Sequence, residues 1–211
     1  MVPPPFNLRR CEPGDEDAVY EVCLRTGDDG RDARDLFDDP QALGHIFVGP
    51  YLKLEPELAF VLEDPQGICG YLLGALDSKK YYAAYRSRWL PPLRSRYAEP
   101  TGDQAHWTRT QRIVYEYYHP HIWLPDPYES YPSHLHIDLL PRAQGRGLGR
   151  NMMKVLLDEL AARGSAGVHL GVGAGNARAQ AFYKKLGFRE LARLADVLYL
   201  GRHLSQPGQP L

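Results

Sequence analysis

The segment that most constrains this chain is residues 144–150, Gln-Gly-Arg-Gly-Leu-Gly-Arg, in which glycine occupies every second position. It follows an apolar run over residues 135–140 and precedes a segment of helical periodicity that starts near Gly147. Unpaired N–H groups at a helix N-terminus, with the positive end of the helix dipole behind them, bind phosphate groups. Because glycine has no side chain, a bulky pyrophosphate can come close to those amides. The sequence therefore predicts a phosphate-binding loop between a strand and a helix.

The spacing of the glycines distinguishes between classes of phosphate-binding loop. A P-loop would continue with Lys and then Ser or Thr, whereas this chain has Arg150 and Asn151 after its last glycine. A dinucleotide-binding loop would have the spacing Gly-x-Gly-x-x-Gly at the start of a βαβ unit. The pattern Gln144-x-x-Gly147-x-Gly149 instead resembles the acetyl-CoA loop of the GCN5-related N-acetyltransferases, the GNAT family. A βαβ unit whose glycines only form tight turns is the alternative.

A second motif lies downstream of the loop. Residues 167–173 form an apolar run, and Asn176, Tyr183 and the Gly187-Phe188 pair follow it. This arrangement resembles the second signature of the GNAT family, so the two motifs together cover residues 134–188. The resemblance implies an α/β GNAT fold: a central, mixed but mostly antiparallel sheet of six to seven strands, flanked by helices and splayed between the fourth and fifth strands.

A longer pattern narrows the resemblance. Residues 25–33, 48–52 and 67–71 read Arg-Thr-Gly-Asp-Asp-Gly-Arg-Asp-Ala, Val-Gly-Pro-Tyr-Leu and Gly-Ile-Cys-Gly-Tyr. With Trp89, Pro91 and Asp138, they are similar to the acetyltransferase-like domain at the C-terminus of O-GlcNAc hydrolases. The resemblance implies one GNAT-like domain over residues 1–204, and residues 205–211 lack core-forming side chains and are expected to form a loose tail. We expect no barrel hydrolase beside this domain within 211 residues.

Charge and cysteine content exclude several classes of function. The formal net charge of −1 gives no electrostatic footprint for nucleic acid. The three cysteines lack the spacing of a zinc site or a disulfide framework, so no metal is expected. No segment is apolar over a membrane-spanning length, and the N-terminus has no apolar signal segment. We therefore expect no membrane partner and a cytoplasmic location.

Hydrophobic periodicity and turn residues predict the secondary structure. Strands are expected over residues 6–11, 58–63, 68–76, 133–140, 167–173 and 191–200. Helices are expected over residues 15–25, 43–48, 103–118, 147–163 and 176–186.

Residues 79–133 interrupt this pattern between the third and fourth strands, and we interpret them as an insertion. They contain all three tryptophans and nine of the fourteen tyrosines. Such a segment can be a satellite hydrophobic cluster that packs on itself, or it can wall a substrate pocket. The two interpretations are compatible, and both remain open at this point. This insertion or an exposed edge strand could also serve a homodimer.

The GNAT resemblance assigns roles in binding acetyl-CoA. The fourth strand would pair with the pantetheine arm and polarise the thioester carbonyl through a backbone N–H near Leu139 and Leu140. The loop amides would bind the pyrophosphate, with added positive charge from Arg146 and Arg150. The expected cofactor-binding residues are Leu139, Leu140, Gln144, Gly145, Arg146, Gly147, Leu148, Gly149, Arg150, Asn176, Ala179 and Tyr183.

Acetyl transfer to an amine also needs an acid and a base. Tyr183 stands where the family has the acid that protonates the leaving thiolate, although it could instead be an aromatic that fills the seam between helix and sheet. His134, His136 and Asp138 alternate along the fourth strand and share a face if that strand is regular. Asp138 is the first candidate for the base because it matches the O-GlcNAc hydrolase domains. His136 is the second, a water relay is a third, and all could instead be polar residues at the rim of the sheet.

The expected function is an acetyl-CoA-dependent N-acetyltransferase, in which a primary amine attacks directly in a ternary complex. The acceptor would be a small molecule or a peptide. A covalent acetyl-cysteine is not expected, because none of the cysteines is near the loop in sequence. The alternatives are a CoA-binding module without turnover and a plain interaction domain. The acidic loop over residues 27–35 could attract the amine, or it could be a solvated loop with helix caps.

Overall fold

Seven strands form one open sheet in the computed structural model of this chain, which describes residues 2–204. They are β1 (Asn7–Arg10), β2 (Ala59–Asp64), β3 (Gly67–Ala75), β4 (Ser133–Leu139), β5 (Gly167–Gly173), β6 (Arg189–Arg193) and β7 (Val197–His203). Their spatial order is β1-β2-β3-β4-β5-β7-β6. Every neighbouring pair is antiparallel except β4 and β5, which are parallel. This confirms the predicted mixed, mostly antiparallel α/β sheet.

Strands β4 and β5 separate soon after they meet. Their pairing consists of Ser133 with Val168 and His134 with His169, whereas the strands continue to Leu139 and Gly173. Beyond the pairing, the backbone groups of β4 and β5 that face each other have no strand between them. The predicted splay between the fourth and fifth strands is therefore confirmed, and it leaves a gap in the middle of the sheet.

Helices flank the sheet. They are α1 (Glu16–Leu24), α2 (Ala42–Phe47), α3 (Gly49–Leu54), α4 (Ser78–Ala84), α5 (Leu90–Arg96), α6 (Arg109–Tyr118), α7 (Leu148–Ala162) and α8 (Ala177–Lys185), with a π-helical turn over Tyr85–Trp89. Within residues 2–204, no helix combines the length and the apolar character needed to cross a lipid bilayer.

Helix α7 positions the glycine loop, because the loop ends where the helix begins. One face of α7 is fully buried, and its side chains Leu148, Met152, Leu156 and Leu160 are 0% exposed. Burial of each such side chain stabilises the fold by roughly 1.5–3 kcal/mol. The helix approaches β3 closely at Gly74, where an added Cβ would lie 2.7 Å from Leu156 Cδ1. The start of α7 is thus held firmly against the sheet.

Two sequence predictions were incomplete or wrong. The run over residues 191–200 was predicted as one closing strand, but β6 and β7 form an antiparallel hairpin there. The turn between them contains Leu194, Ala195 and Asp196, and it has neither glycine nor proline to indicate a break. Helices α3, α4 and α5 were not predicted, because prolines and aromatic residues obscure their periodicity. The predicted loose tail over residues 205–211 lies outside the described residues.

The aromatic segment between β3 and β4 folds into α4, α5, α6 and extended stretches. Tyr117 on α6 is 0% exposed, and its hydroxyl lies 3.2 Å from His45 Nδ1 on α2. Tyr81 and Tyr85 are also buried. Part of the segment is therefore a hydrophobic cluster that packs against α2. Aromatic side chains of the same segment, Tyr81 and Tyr85 among them, also line a cavity that is described below. The substrate-pocket interpretation stays a prediction.

Candidate active site

Two cavities share strand β4 as a wall. The first, named here the loop cavity, has a volume of about 560 Å³ and lies against the C-terminal half of β4. It is lined by Asp138, Gly145, Gly147, Asn176, Phe182 and Tyr183, among others. The second, named here the aromatic cavity, has a volume of about 510 Å³ and lies against the N-terminal half of β4 and along β5. It is lined by Tyr82, Trp123, His134, His136, His169 and Tyr199, among others.

The glycine loop gives the loop cavity its shape. Gly147 is the N-cap of α7, and both Gly145 and Gly147 have φ of +74°, which side-chain-bearing residues rarely adopt. An added Cβ at either position would meet no atom within 4 Å, so the space before the loop is open. The first backbone hydrogen bond of the helix runs from Asn151 N to Gly147 O at 3.1 Å. The amides of Leu148, Gly149 and Arg150 come before it and therefore have no acceptor within the helix. They form the anion-binding end of a 15-residue helix.

Gly149 has a different role in the same loop. An added Cβ there would lie 3.2 Å from Phe182 Cζ and 3.4 Å from Leu139 Cδ1. This glycine therefore lets α7 pack closely against α8 and β4. The glycines at 145 and 147 leave room for a ligand, whereas the one at 149 brings the surrounding elements together.

Positive charge around the loop cavity comes from several segments. Arg150 lines the cavity, as expected, together with Arg31, Arg178 and Lys185. Arg146 lies elsewhere: its guanidinium is 5.8 Å from the centre of the Phe6 ring. Sequence reasoning missed Arg178 and Lys185 on α8, and Arg31 more than 100 residues upstream of the loop. Cationic residues near a helix N-terminus could have indicated Arg178, but no local pattern indicates Arg31.

The end of β4 directs backbone groups into the gap. Leu140 N donates to Cys69 O at 2.8 Å, so the amide of Leu140 is used on the β3 side. Because successive strand residues direct their N–H groups to opposite sides, the Leu139 N–H faces the gap. Gln144 Nε2 donates to Leu139 O at 2.5 Å and holds the glycine loop against the strand end. Of the two expected backbone donors, the geometry therefore favours Leu139.

Asn176 and Ala179 form the opposite wall of the loop cavity. Asn176 is the N-cap of α8, and its Oδ1 accepts a hydrogen bond from Ala179 N at 3.0 Å. Both residues line the cavity. The cap explains why asparagine suits this position, since it satisfies one of the free amides at the helix start.

Tyr183 on α8 lines the loop cavity and is 7% exposed. Burial, and then the nearby charge of Asp138, raise the pKa of the Tyr183 hydroxyl above its usual range. The phenol therefore keeps its proton at neutral pH and can donate it. The ring also packs edge-on against Phe182 and Phe188, at centroid distances of 5.3 and 5.6 Å. Tyr183 thus fills the seam between helix and sheet while it faces the cavity.

His136 and Asp138 lie in contact between the two cavities. His136 Nε2 is 3.2 Å from Asp138 Oδ2, at a favourable distance but without the angle of a hydrogen bond. His136 lines the aromatic cavity and Asp138 lines the loop cavity. The β3–β4 register runs without a shift from Gly70 opposite Leu139 to Ala75 opposite His134. Strand β4 is regular here, so the alternating residues share a face as expected.

A tyrosine that sequence reasoning missed holds this pair. Tyr71 on β3 is opposite Asp138, and its hydroxyl donates to Asp138 Oδ2 at 2.6 Å. The Tyr71 ring stacks on His136 at 5.5 Å, and Phe47 stacks on His136 at 5.4 Å. Tyr71 is 0% exposed, and burial raises the pKa of its hydroxyl well above the usual range. It therefore acts as a hydrogen-bond donor to the carboxylate.

The acidic loop lies beside the loop cavity, and its charges are largely paired. Asp28 contacts Arg31 and Arg109, each at 2.8 Å. Asp29, with φ of +52°, lines the loop cavity and approaches Gly173 so closely that a Cβ there would collide with its Oδ1. This arrangement favours the structural interpretation of the loop over attraction of an amine, since none of its aspartates lines the aromatic cavity.

The chain belongs to the acetyltransferase (GNAT) family, whose model matches residues 30–188. The resemblance to O-GlcNAc hydrolases is also confirmed. Protein O-GlcNAcase of Rattus norvegicus is 32% identical over 204 residues, which cover 94% of this chain and 22% of that protein. The chain thus spans about a fifth of the length of this curated relative.

Solved structures agree with this assignment. The crystal structure of SsHAT is similar with a TM-score of 0.88 and 43% identity, covering 96% of this chain and 100% of that one. The structure of yncA from Salmonella typhimurium with its cofactor acetyl-CoA has a TM-score of 0.54 and 15% identity, covering 97% of each chain. The second likeness concerns the fold alone.

Proposed function

We propose that the chain is an N-acetyltransferase that transfers an acetyl group from acetyl-CoA to a primary amine by direct attack in a ternary complex. The observation that carries the proposal is the position of His136 and Asp138, which touch at 3.2 Å between a phosphate-type cavity and a second, aromatic cavity. A donor and an acceptor bound in the two cavities would meet at this pair.

The loop cavity fits acetyl-CoA. Its open glycine backbone and the free amides at the start of α7 suit a pyrophosphate, and Arg150, Arg178 and Lys185 add positive charge. The Leu139 N–H, which faces the gap beside β4, suits a carbonyl group of a pantetheine arm. Family membership supports the same ligand.

Acetyl-CoA supplies the thioester: a C–N bond to the amine forms while the C–S bond breaks, so an oxyanion and then a thiolate must be stabilised. The Leu139 N–H, which faces the gap, would donate to the oxyanion. Tyr183 would donate its hydroxyl proton to the departing sulfur, since burial raises the pKa of that hydroxyl and so keeps it protonated at neutral pH.

The proton of the incoming ammonium needs an acceptor on the other side. We propose Asp138, held by the Tyr71 hydroxyl, as the base, with His136 as the alternative. Both side chains are about a quarter exposed, at 26% and 29%, so an amine can reach them. A CoA-binding module without turnover would bind the same cofactor but would not need this pair between two cavities.

Two measurements test the proposal. The first is calorimetric titration with acetyl-CoA and with CoA, on wild type, on Gly147→Glu and on Gly102→Glu. Gly102 has φ of +90° and open space around its Cβ, so this control introduces the same strain and charge in a distant loop. We expect acetyl-CoA and CoA to bind to wild type and to the Gly102→Glu control. In Gly147→Glu, we expect the affinity for both to fall by at least about 100-fold. No binding to wild type would contradict the proposal.

The second measurement is the release of free thiol from acetyl-CoA in the presence of amines. Thiol release that depends on an amine, with a matching acetylated product, is the expected result. Binding of acetyl-CoA without thiol release across primary amines of all classes would instead indicate a CoA-binding module.

A further inference from the structure

The wall of the aromatic cavity is a continuous series of flat rings. Tyr199 stacks on Trp123 at 4.0 Å with an interplanar angle of 13°, and Trp123 meets the edge of His169 at 5.6 Å. His169 lies 5.7 Å from His134, which stacks on Tyr82 at 5.1 Å with an angle of 4°. Such a wall favours a flat, apolar body, because aromatic faces gain stacking energy beyond the area they bury. A volume of about 510 Å³ is also in the range of small-molecule pockets, roughly 300–1,000 Å³.

The cavity carries little charge. Among its lining residues within the described chain, Glu116 is the one acidic side chain, and its Oε2 already accepts a hydrogen bond from His121 N at 2.8 Å. Burial lowers the pKa of His169 to about 4 and the pKa of His134 well below its usual value, so both are neutral at pH 7. A polyamine with several positive charges would find too few carboxylates here. A monoamine with an uncharged body fits better.

Two buried ring nitrogens of the cavity lining, His134 Nε2 and His136 Nε2, have no hydrogen-bond partner among the described residues, and His134 is the one that belongs to the stacked wall. Ser78 Oγ donates to Pro132 O at 2.8 Å, so His134 Nδ1, 2.7 Å from Ser78 Oγ, must be the donor in that second contact. His134 Nε2 then keeps its lone pair, and it is buried without a hydrogen bond within residues 2–204. The residue is 4% exposed and lines the cavity. A buried acceptor without a partner is costly, and a donor supplied by a ligand would remove that cost.

We propose that the acceptor is an arylalkyl primary amine whose ring carries an O–H or N–H donor. The ring stacks on the aromatic wall, its donor bonds to His134 Nε2, and the amine extends along β4 towards His136 and Asp138. This inference rests on the proposed function, since it names the substrate class for the same site. It excludes lysine-containing peptides and polyamines as the preferred acceptors.

The test is calorimetric binding of matched amines to the full chain in the presence of CoA. Tyramine, phenethylamine and 2-cyclohexylethylamine have the same two-carbon arm and differ by a ring donor or by aromaticity. We expect about tenfold weaker binding at each step from tyramine to phenethylamine to 2-cyclohexylethylamine. Spermidine and Nα-acetyl-lysine methylamide should bind more weakly than tyramine. Equal binding of the three matched amines, no binding of tyramine, or tighter binding of spermidine or the lysine derivative would overturn the inference.

Three variants locate the effect. Trp123→Leu should weaken the binding of tyramine and of phenethylamine by the same factor, about tenfold. Trp107 packs on Tyr115 outside the cavity, so Trp107→Leu should change neither affinity. His134→Phe keeps a flat ring beside Tyr82 but removes the nitrogen, so it should remove the difference between tyramine and phenethylamine. A difference that persists in His134→Phe would overturn the role of Nε2, and equal losses in the two tryptophan variants would overturn the role of the wall.

The binding readout separates this inference from the proposed function. Acetyl-CoA titration reports the loop cavity, and amine titration reports the aromatic cavity without any turnover. If CoA does not bind, the proposed function fails, while the order of amine affinities on the CoA-free chain still tests the inference. Retained CoA binding in each variant shows that its fold is intact.

Discussion

The loop cavity and the aromatic cavity have similar volumes, about 560 and 510 Å³, but they are built in opposite ways. The loop cavity depends on backbone: left-handed glycines, free amides at the start of α7, and the edge of β4. The aromatic cavity depends on side chains from α2, α3, α4, α6, β4, β5 and β7, and burial lowers the pKa of two of its histidines, His134 and His169. A backbone cradle demands glycine at fixed positions and so leaves a motif in the sequence. Stacked side chains from distant segments leave none.

If the two cavities serve one reaction, the residues between them should matter most for turnover and least for binding. We expect Asp138→Asn to lower kcat by about 10²–10⁴-fold while acetyl-CoA affinity stays within a few-fold of wild type. Steady-state kinetics and calorimetry measure the two quantities. Glu190→Gln, at an exposed carboxylate paired with Arg193 on β6, is the matched control. A larger loss in His136→Gln than in Asp138→Asn would make His136 the base.

Tyr183 tests the loop-cavity side of the same reaction. We expect Tyr183→Phe to lower kcat by about 100-fold, because the thiolate would leave without a proton donor. The raised pKa of the hydroxyl means that it is protonated across neutral pH, so the alkaline limb of the pH–rate profile should be absent up to about pH 10 in wild type. Acetyl-CoA binding serves as the control for folding. An unchanged kcat in Tyr183→Phe would leave Tyr183 with a packing role only.

The same contrast explains how much of the site the sequence could predict. Gly147 and Asn176 could be singled out in the sequence because local backbone geometry and helix capping favour those residue types there, whereas Tyr183 was singled out by its resemblance to the family motif. The strands were predicted because strand periodicity is local, and the β6–β7 hairpin was missed because its turn contains neither glycine nor proline.

Contacts between distant segments could not be predicted in this way. Tyr71 reaches Asp138 across 67 residues of sequence, and Arg31 reaches the loop cavity from the N-terminal region. The high tryptophan and tyrosine content of the aromatic segment could be recognised in the sequence. Its helices, and the cavity that they help to line, depend on packing against α2 and β5. Side-chain arrangements of this kind follow from the whole fold and not from any one motif.

The neutral histidines should make the aromatic cavity the acid-sensitive part of the fold. Unfolded histidine has a pKa of about 6.5, whereas folded His169 has a pKa of about 4, so between these values the unfolded chain binds more protons. The free energy of unfolding should therefore fall as the pH falls, by about 2 kcal/mol from His169 between pH 7 and pH 5. Urea unfolding at the two pH values measures this, and His169→Asn should reduce the difference. His106→Asn, at an exposed histidine, should not.

Tyr71 tests whether the pair between the cavities needs support from the sheet. Tyr71→Phe removes the hydroxyl that donates to Asp138 at 2.6 Å and keeps the ring stacked on His136. We expect kcat to fall by about tenfold and the acidic limb of the pH–rate profile to move to higher pH, because the carboxylate loses a stabilising donor. Tyr118→Phe removes a hydroxyl that bonds only to carbonyl groups near α5 and should leave the profile in place. A lower kcat with an unmoved profile would indicate a structural role for Tyr71.

The smallest expected effect separates two arginines of one loop. Arg150 lines the loop cavity, whereas the guanidinium of Arg146 lies over the Phe6 ring. Both substitutions remove one positive charge from the same loop, so Arg150→Gln and Arg146→Gln are matched to each other. We expect Arg150→Gln to weaken acetyl-CoA binding by about fivefold at physiological ionic strength and Arg146→Gln by less than about twofold, because Arg150 lines the cavity and the Arg146 guanidinium packs on Phe6 instead. In titrations at low and at high salt, raising the salt concentration should reduce the loss of affinity in Arg150→Gln and leave that in Arg146→Gln unchanged. Equal losses would mean that Arg146 leaves Phe6 when the phosphates bind, and the backbone cradle would then also depend on a mobile side chain.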